Sequence, residues 1–306
     1  MNVGPASTCM TNTEIVFRIV SHIPMGCVLT YADVARLAGM KSPRVIGNIL
    51  HTNQDPVAVP CHRIVNASGR VSDAYSMGGA KIQQTRLRDE GVRMHGLRAN
   101  LAQRWKPSKE YASYLRLLRR FGDPGPWPWF GKDRPHTPDE IAIGAILTQN
   151  TSWRNVEQAL VNLRREGVET LSAIPRFSER RLQELIRPSG FFNQKADRLK
   201  RFAAWIDREY SSLEHFLQLP VLRARAELLS FKGIGRETAD TILLYCGTNP
   251  IFVIDAYAKR FSTALNLSPE TAYESLQTHF MDRLPTHLGL FREYHALIIA
   301  WGQSEK

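Results

Sequence analysis

Apolar side chains recur at helical spacing through much of the first hundred residues. The pattern predicts helices over 14–23, 31–37, 42–51 and 81–90. The second and third of these are short and flank Gly39, which predicts a helix-turn-helix. Between them and the fourth, 57–65 is an apolar stretch with a polar interruption. This part of the chain is therefore expected to be a small mixed domain.

The rest of the chain has a different pattern, in which helical periods follow one another with short breaks and no convincing strand. Helices are predicted over 111–121, 139–149, 152–165, 179–186, 193–209, 221–230, 236–246, 255–265, 270–280 and 289–300. Residues 122–138 are irregular and rich in Pro, Gly and Trp. We therefore predict a multidomain protein, with an α/β domain over 1–103, a polar linker over 104–110 and an all-α domain over 111–306.

The composition of the 306 residues is that of a folded protein, for which a reducing cytoplasm is the default expectation. It is 43% hydrophobic and 23% charged, which excludes a mostly disordered chain. The sequence contains neither an apolar run of about 18 residues nor the pattern of a secretory signal. The cysteines are too few and too widely spaced for a disulfide scaffold or a metal site: Cys9, Cys27, Cys61 and Cys246.

The net charge of +11 favours a polyanionic partner such as nucleic acid. The excess of basic residues is present in both halves of the chain. Charge alone is weak evidence, because an ordinary solvated surface can also be basic.

Cys61 is a candidate nucleophile because of the residues beside it. A single cysteine among apolar residues is most often a small buried side chain. Here the sequence is Pro60-Cys61-His62-Arg63, and basic neighbours favour the reactive thiolate form of a cysteine. Pro60 also restricts the backbone immediately before Cys61.

The order and spacing of several motifs resemble the O6-alkylguanine-DNA alkyltransferases, over about residues 13–101. The motifs are Thr30-Tyr31, Arg44-Val-Ile-Gly47, Asn53, Pro60-Cys-His-Arg63 and Glu90-Gly91. The resemblance is to the C-terminal, winged-helix-like DNA-binding domain of that family. It implies a domain that flips a damaged guanine out of the duplex and transfers its alkyl group irreversibly to Cys61.

The same resemblance assigns roles to individual residues. Cys61 would accept the alkyl group, His62 would act as a base through a water, and Glu90 would orient His62. Asn53 would support the turn that presents the cysteine. The residues implied in DNA binding are Tyr31 and Arg44, which would rotate the nucleotide and fill the gap in the stack, and Arg63.

The segment 69–91 departs from typical transferases because it is slightly longer. In this respect it resembles the alkyltransferase-like proteins, which bind the lesion without removing it and typically have Trp where this chain has Cys61. A lesion-sensing domain that does not transfer the alkyl group is therefore the alternative.

In the second half, Gly233-Ile234-Gly235 lies between two predicted helices. Such a turn brings backbone N–H groups close to a phosphate, although many such turns are ordinary loops. Asp255 follows the apolar run 252–254 at the start of another predicted helix. An aspartate in that place is most often an N-cap, and this role is compatible with catalysis.

Together with Ile146-Leu-Thr-Gln-Asn150 and 190–196, these motifs resemble the helix-hairpin-helix glycosylases of the endonuclease III superfamily, over about residues 111–302. The resemblance implies two helical subdomains and a cleft for a flipped base. Asp255 would be the catalytic carboxylate. Gln149 would lie near the space left by the flipped base. Further implied DNA-binding residues are Asn150, Lys195, Lys232, Gly233, Gly235 and Arg236.

Glu237 occupies the position at which bifunctional members have the Schiff-base lysine. Since a carboxylate cannot form an imine, we expect hydrolysis of the glycosidic bond without strand cleavage. The four-cysteine loop of the superfamily does not follow Gly302, so no iron–sulfur cluster is expected. We expect no other metal, although the family resemblance allows a monovalent cation at the carbonyls near Gly233 and Gly235.

The sequences around Gln149 and Gly235 most resemble the 3-methyladenine glycosylase branch. A cationic alkylated purine leaves readily, and aromatic rings can select it by stacking. The candidate aromatic residues are Trp127, Trp129, Phe130 and Trp153, for which ordinary core packing is the alternative. Oxidised and mismatched bases remain alternative substrates.

The sequence thus predicts a monomeric DNA alkylation repair protein with two activities. Its partner would be double-stranded DNA with alkylated bases, and no membrane association is expected. The alternatives are a lesion-binding domain joined to a glycosylase for oxidised or mismatched bases, and a DNA-binding architectural protein with decayed sites.

Overall fold

The computed structural model describes residues 10–125, 136–247 and 249–305. Two compact units divide the chain. The first comprises 1–123 with 280–290, and the second comprises 124–279 with 291–306. The predicted linker over 104–110 therefore lies inside the first unit. It is anchored there because the N–H of Trp105 donates to the Val28 carbonyl at 2.9 Å and Arg104 forms an ion pair with Asp33.

Residues 10–125 contain five α-helices and two pairs of very short strands. They are α1 (Asn12–Ser21), β1 (Leu29–Thr30), α2 (Tyr31–Ala38), α3 (Pro43–His51), β2 (Ile64–Val65), α4 (Gly79–Asp89), β3 (Met94–His95), β4 (Arg98–Ala99) and α5 (Lys109–Phe121). β1 pairs with β2 in parallel, and β3 pairs with β4 antiparallel. The strands are so short that the winged-helix-like description stays a prediction.

The helix pair predicted around Gly39 is present as α2 and α3, and local chemistry sets its ends. Thr30 and Asp33 form a capping box at the start of α2. Gly39 ends the helix with a φ of 73°, a left-handed conformation that suits glycine. Burial tends to raise the pKa of Asp33, but hydrogen bonds from Arg104 and Thr30 lower it to about 2.

Buried apolar side chains form a core cluster in the first unit. It contains Val28, Val65, Val71, Ala80, Leu87, Val92 and Ala99. Gln83 on α4 is buried, and its amide donates to the carbonyls of His62 and Ile64 at 3.0 and 2.7 Å. It also accepts from the Ser72 N–H at 2.8 Å. These bonds tie α4 to the turn that carries Cys61.

The rest of the chain is helical, and the described residues after 125 include no strand. The helices are α6 (Pro138–Leu147), α7 (Trp153–Arg165), α8 (Glu179–Ile186), α9 (Phe192–Tyr210), α10 (Leu213–Leu217), α11 (Val221–Ser230), α12 (Arg236–Cys246), α13 (Ala256–Ala264), α14 (Tyr273–Arg283) and α15 (Leu288–Ser304). Apart from the short α10, each matches a predicted helix to within a few residues. No described helix has both the length and the apolar character needed to cross a bilayer.

A buried carboxylate organises the segment before α13 in the second unit. Asp240 is fully buried and accepts two hydrogen bonds from Arg225, at 2.6 and 3.0 Å. It also accepts from the Tyr273 hydroxyl at 2.8 Å and the Gln277 amide at 2.7 Å. Gln277 in turn donates to the Phe252 carbonyl at 2.6 Å. A satisfied network of this kind holds the backbone that leads to Asp255 in one conformation.

Candidate active sites

Cys61 begins a short 3₁₀ helix (Cys61–Arg63) and is buried. The amide of Asn53 donates to the Val59 carbonyl at 2.8 Å and to the Cys61 Sγ at 3.3 Å. The Asn53 carbonyl oxygen accepts from the Asp55 N–H at 3.1 Å. One buried side chain therefore holds the turn and contacts the sulfur, and the role of Asn53 in alkyl transfer stays a prediction.

His62 and Glu90 lie together beside this cysteine turn. Nε2 of His62 is 2.8 Å from Oε1 of Glu90, while the buried Nδ1 has no hydrogen-bond partner among the described residues. Burial lowers the pKa of His62, and the hydrogen bond and charge of Glu90 only partly oppose this. Burial tends to raise the pKa of Glu90, but hydrogen bonds from Arg63 and His62 lower it overall. A neutral imidazole beside a fixed carboxylate can accept a proton.

The Arg63 side chain is bound within the first unit, whereas the resemblance implies a role in DNA binding. Its guanidinium donates to both oxygens of Glu90, at 2.7 and 2.8 Å, and to the Ile23 carbonyl at 2.5 Å. The side chain is only 15% exposed. The prediction is corrected for a physical reason: the planar guanidinium fits a carboxylate bidentately, and here it holds Glu90 rather than extending into solvent.

A shallow, open cleft lies beside the cysteine. It is lined by Tyr31, Gly47, Leu50, His51, Cys61, Ala74, Tyr75 and Ser76. Burial raises the pKa of Tyr31, and burial together with Cys61 raises the pKa of Tyr75 to about 12. Both phenols therefore keep their protons at neutral pH. Arg44 is exposed on the first turn of α3.

Tyr75 is a lining residue that the sequence interpretation did not single out. Tyr75 lies in the slightly longer segment 69–91. In this segment only the glycines and Tyr75 itself indicate a turn near the cysteine motif. Its hydroxyl accepts a hydrogen bond from Arg86 at 3.2 Å.

In the second unit, the hairpin between α11 and α12 has the predicted glycine turn. Gly233 has a φ of 103°, and a Cβ there would overlap the guanidinium of Arg198. Lys232, Gly235 and Arg236 are exposed, and Arg236 forms an ion pair with Glu274. The hairpin thus exposes basic side chains together with the backbone of its glycines.

Gln149 joins the end of α6 to this hairpin. Its amide donates to the Gly233 carbonyl at 3.0 Å and to the Thr238 hydroxyl at 2.9 Å, and its carbonyl accepts from Arg198. The next residue, Asn150, is exposed and has a positive φ of 55°. The structure therefore places Gln149 beside Gly233, and its position near a flipped base stays a prediction.

The Lys195 side chain is also bound within its own unit. It was predicted to bind DNA, but it is only 1% exposed. Its ammonium donates to the carbonyls of Leu147 and Ser189, at 2.8 and 2.7 Å. Burial lowers the pKa of Lys195 to about 8. Its hydrogen bonds satisfy carbonyls at the C-terminal ends of two helical segments, so it stabilises the fold rather than reaching a phosphate.

Asp255 is the N-cap of α13 and is 8% exposed. Its Oδ1 accepts from the Ala258 N–H at 2.7 Å. Glu237 lies on the first turn of α12. Burial of its carboxyl group raises the pKa of Glu237, and the charge of Asp255 raises it further. Two carboxyl groups therefore influence each other where the superfamily resemblance places the chemistry.

Of the aromatic candidates, Trp127, Trp129 and Phe130 lie outside the described residues. Trp153 is half-buried at the start of α7. Phe191 was missed by the sequence interpretation. It is 61% exposed and has a φ of 46°, which is rare for a bulky residue. Such strain and exposure are typical of functional positions.

The carbonyls near the hairpin glycines, where the resemblance allows a monovalent cation, also accept hydrogen bonds within the unit. The Gly233 carbonyl accepts from Gln149, and the Gly235 carbonyl accepts from the Ala239 N–H at 2.9 Å. The Lys232 carbonyl accepts from the cationic Arg201 at 3.4 Å. Among residues 10–125, 136–247 and 249–305, no group of three or more His, Cys, Asp or Glu side chains is arranged to hold a metal ion.

Comparison with known families divides the chain between two kinds of DNA repair domain. Residues 12–92 match the DNA binding domain of 6-O-methylguanine DNA methyltransferase. Residues 143–286 match the HhH-GPD superfamily of base excision DNA repair proteins. The domain that is compared with the C-terminal part of the alkyltransferases thus has an N-terminal position in this chain.

Similar individual proteins follow the same division. A putative DNA repair glycosylase of Methanocaldococcus jannaschii is 43% identical over 62% of this chain and 84% of its own length. The methylated-DNA–protein-cysteine methyltransferase of Methanothermobacter thermautotrophicus is 39% identical over 29% of this chain. The match spans only 48% of that protein.

A solved structure gives the corresponding likeness of fold. The 3-methyladenine DNA glycosylase of Helicobacter pylori, bound to 1,N6-ethenoadenine, superposes with a TM-score of 0.54 and is 30% identical. The likeness covers 63% of this chain and 94% of that one.

Proposed function

Because the chain belongs to the HhH-GPD superfamily of base excision DNA repair proteins, we propose that its second unit releases alkylated purines from double-stranded DNA. Asp255 is the observation that carries the proposal: a nearly buried carboxylate, fixed by its helix cap, near a basic glycine hairpin. An ionised carboxylate there stabilises the oxocarbenium-like sugar as the bond to the base breaks, and a water completes the hydrolysis.

The choice of N-alkylated purines rests on two points. The related H. pylori protein is a 3-methyladenine glycosylase by its description. In this chain, Asp255 supplies a carboxylate at the proposed site, and its negative charge favours a base that is already cationic. Glu237 cannot form an imine, so release leaves an abasic site with an intact strand.

Contact with DNA would use the hairpin and a protruding aromatic residue. The exposed Lys232 and Arg236, with the backbone N–H groups at Gly233 and Gly235, would hold phosphates. Phe191 would insert beside the space left by the flipped base, near which Gln149 would lie.

The first unit would transfer an alkyl group from O6-alkylguanine to Cys61. In this step the sulfur forms a new bond to the alkyl carbon while the O6–carbon bond breaks, and the guanine, which stays in the DNA strand, takes up a proton from water in place of the alkyl group. His62, oriented by Glu90, would take the thiol proton through a water. The pair α2 and α3 would bind the groove in a winged-helix-like arrangement, with Arg44 and Tyr31 at the flipped nucleotide.

Two substitutions test the assignments. Cys61→Ala is expected to abolish labelling of the protein by O6-methylguanine DNA and to spare base release. Asp255→Asn is expected to reduce base release at least about 100-fold and to spare labelling. Each variant is the other's folded control.

Mass spectrometry of the Cys61 peptide after incubation with the same DNA separates a transferase from a lesion sensor. A gain of one methyl group supports transfer. Unmodified Cys61 with tight binding to the lesion would instead show that the first unit only senses damage.

A further inference from the structure

The two oxygens of the Asp255 carboxylate face different groups. Oδ1 accepts the helix-capping hydrogen bond from Ala258, whereas Oδ2 lies 3.5 Å from Nε2 of His295. The His295 side chain is only 7% exposed, and Nε2 has no hydrogen-bond partner among the described residues. A buried ring nitrogen therefore has the carboxylate as its nearby polar group, at a distance that can shorten when a site closes on substrate.

The other nitrogen of the His295 ring is held by Tyr245 of α12. The Tyr245 hydroxyl is 2.7 Å from Nδ1 and 3.4 Å from the carbonyl of Arg292. Burial and the charge of Asp255 raise the pKa of Tyr245 far above its ordinary value, so the phenol keeps its proton. The shorter distance favours donation to Nδ1. In a neutral ring, the proton then lies on Nε2 and faces Asp255.

We propose that His295, held by Tyr245, is a positioning residue that fixes and stabilises the ionised Asp255 carboxylate during base release. The inference rests on the glycosylase function proposed above. When the 3.5 Å contact shortens to a hydrogen bond, both carboxylate oxygens are held and the group cannot rotate away from the sugar. An N–H donor also favours the charged form of a carboxylate.

Other charged groups surround this pair and set the direction of its response to pH. Glu237 on α12 acts against the negative charge of Asp255, whereas Lys259 on α13 and the His295 ring favour negative charge in the cleft. Arg292 on α15 lies near Tyr245. Removal of the His295 donor leaves the repulsion between Glu237 and Asp255 less opposed, so base release should be lost at a higher pH when the solution is acidified.

The kinetic test uses the full chain and methylated duplex DNA in single-turnover reactions from about pH 5 to 8. We expect His295→Ala to slow base release about tenfold or more and to shift the acid limb of the pH–rate profile to higher pH. His295→Gln keeps an N–H donor and should recover most of the rate, and Tyr245→Phe should give a smaller loss. His215→Gln, at an exposed histidine of the same unit, is the matched control. An unchanged rate and profile for His295→Ala would overturn the proposal.

A second measurement does not depend on activity. Ring-nitrogen NMR of ¹⁵N-histidine protein, with the His295 signal identified by its loss in His295→Gln, reports the tautomer. We expect protonated Nε2 in the neutral ring and a shift of this signal in Asp255→Asn. Protonation of Nδ1 instead, or indifference to Asp255→Asn, would overturn the proposal even if some variants fold poorly. Failure of the wild-type protein to release any methylated purine would contradict the proposed function. The nitrogen signals would still show whether His295 Nε2 donates to the Asp255 carboxylate.

Discussion

Burial changes what a basic side chain does at both candidate sites. Arg63 and Lys195 were predicted to meet DNA, yet each is enclosed and donates to groups of its own unit. Lys232 and Arg236, which have the same charge, are exposed, although Arg236 is paired with the half-exposed Glu274. At the residue scale, therefore, solvent access separates structural cations from those that can bind DNA.

The pH dependence of alkyl transfer follows from His62. Because burial lowers its pKa, the ring stays neutral, and able to accept a proton, below the ordinary histidine value of 6.5. Transfer to Cys61 should thus persist below pH 6.5 and fall only on further acidification. Glu90→Gln removes the group that opposes this effect, so it should lower both the acid limb and the maximal rate. Transfer rates from an O6-methylguanine oligonucleotide test this, and an acid limb at or above pH 6.5 would contradict it.

Lys195 should leave a signature in stability at alkaline pH. Its pKa is about 8 in the folded chain and about 10.5 when unfolded, so between these values the unfolded chain binds more protons. Stability from this group therefore rises with pH across that window. Lys195→Met should be less stable at pH 7 and should lack this rise. Chemical denaturation at several pH values measures it, with Lys232→Met as the exposed control; an unchanged pH slope would be inconsistent with a buried, titrating Lys195.

Several site residues could be predicted from sequence because their roles depend on near neighbours. Cys61, His62 and Asn53 lie within one short motif region, and Asp255 both follows an apolar run and caps a helix. Arg63 and Lys195 could not be assigned in this way, since their partners, Glu90, Ile23 and Leu147, are distant in sequence. Tyr75 and His295 were missed for the same reason.

At the element scale, the hairpin depends on one glycine that no other residue can replace without movement. Gly233→Ala adds a Cβ at a φ of 103° and pushes it into Arg198, which also binds Gln149. We expect a loss of about 1–3 kcal/mol in stability and a clear loss of DNA affinity. Gly167→Ala has a similar positive φ of 73° but open space around it, so it should cost stability without weakening DNA binding. Equal effects on affinity would argue against a DNA-binding hairpin.

Phe191 offers a test in the turn before α9. Since the ring is 61% exposed, Phe191→Ala should change the unfolding temperature little. It should nevertheless reduce base release about tenfold, because an aromatic wedge that keeps the base flipped is lost. Leu222→Ala, at a residue that is 80% exposed on α11, is the matched control. Normal base release by Phe191→Ala would show that the Phe191 ring does not act as a wedge.

Helix positions were predicted well because apolar periodicity is a local property. α8, α11 and α12 have the predicted limits, whereas the five-residue α10 is too short for its periodicity to be recognised. The border between units was not predicted, because it depends on long-range contacts: 104–110 is polar and basic in composition, yet Arg104 and Trp105 bind residues of the first unit.

On the scale of the whole molecule, each unit contains its own set of chemical groups. The first has a cysteine with an imidazole and a carboxylate, and the second has a capped aspartate beside a hairpin. The net charge of +11 suits a shared polyanionic partner. Since neither set includes a residue of the other, the two activities should be separable.

The most direct measurement uses duplex DNA treated with a radiolabelled methylating agent, with the label partitioned after incubation among protein, free bases and remaining DNA. If both proposed activities are present, label will be found on the protein, at Cys61, and in released 3-methyladenine. Label on the protein alone would contradict the assigned glycosylase substrate, and free base alone would contradict transfer. Retention of all label in the DNA would contradict alkylation repair by this protein.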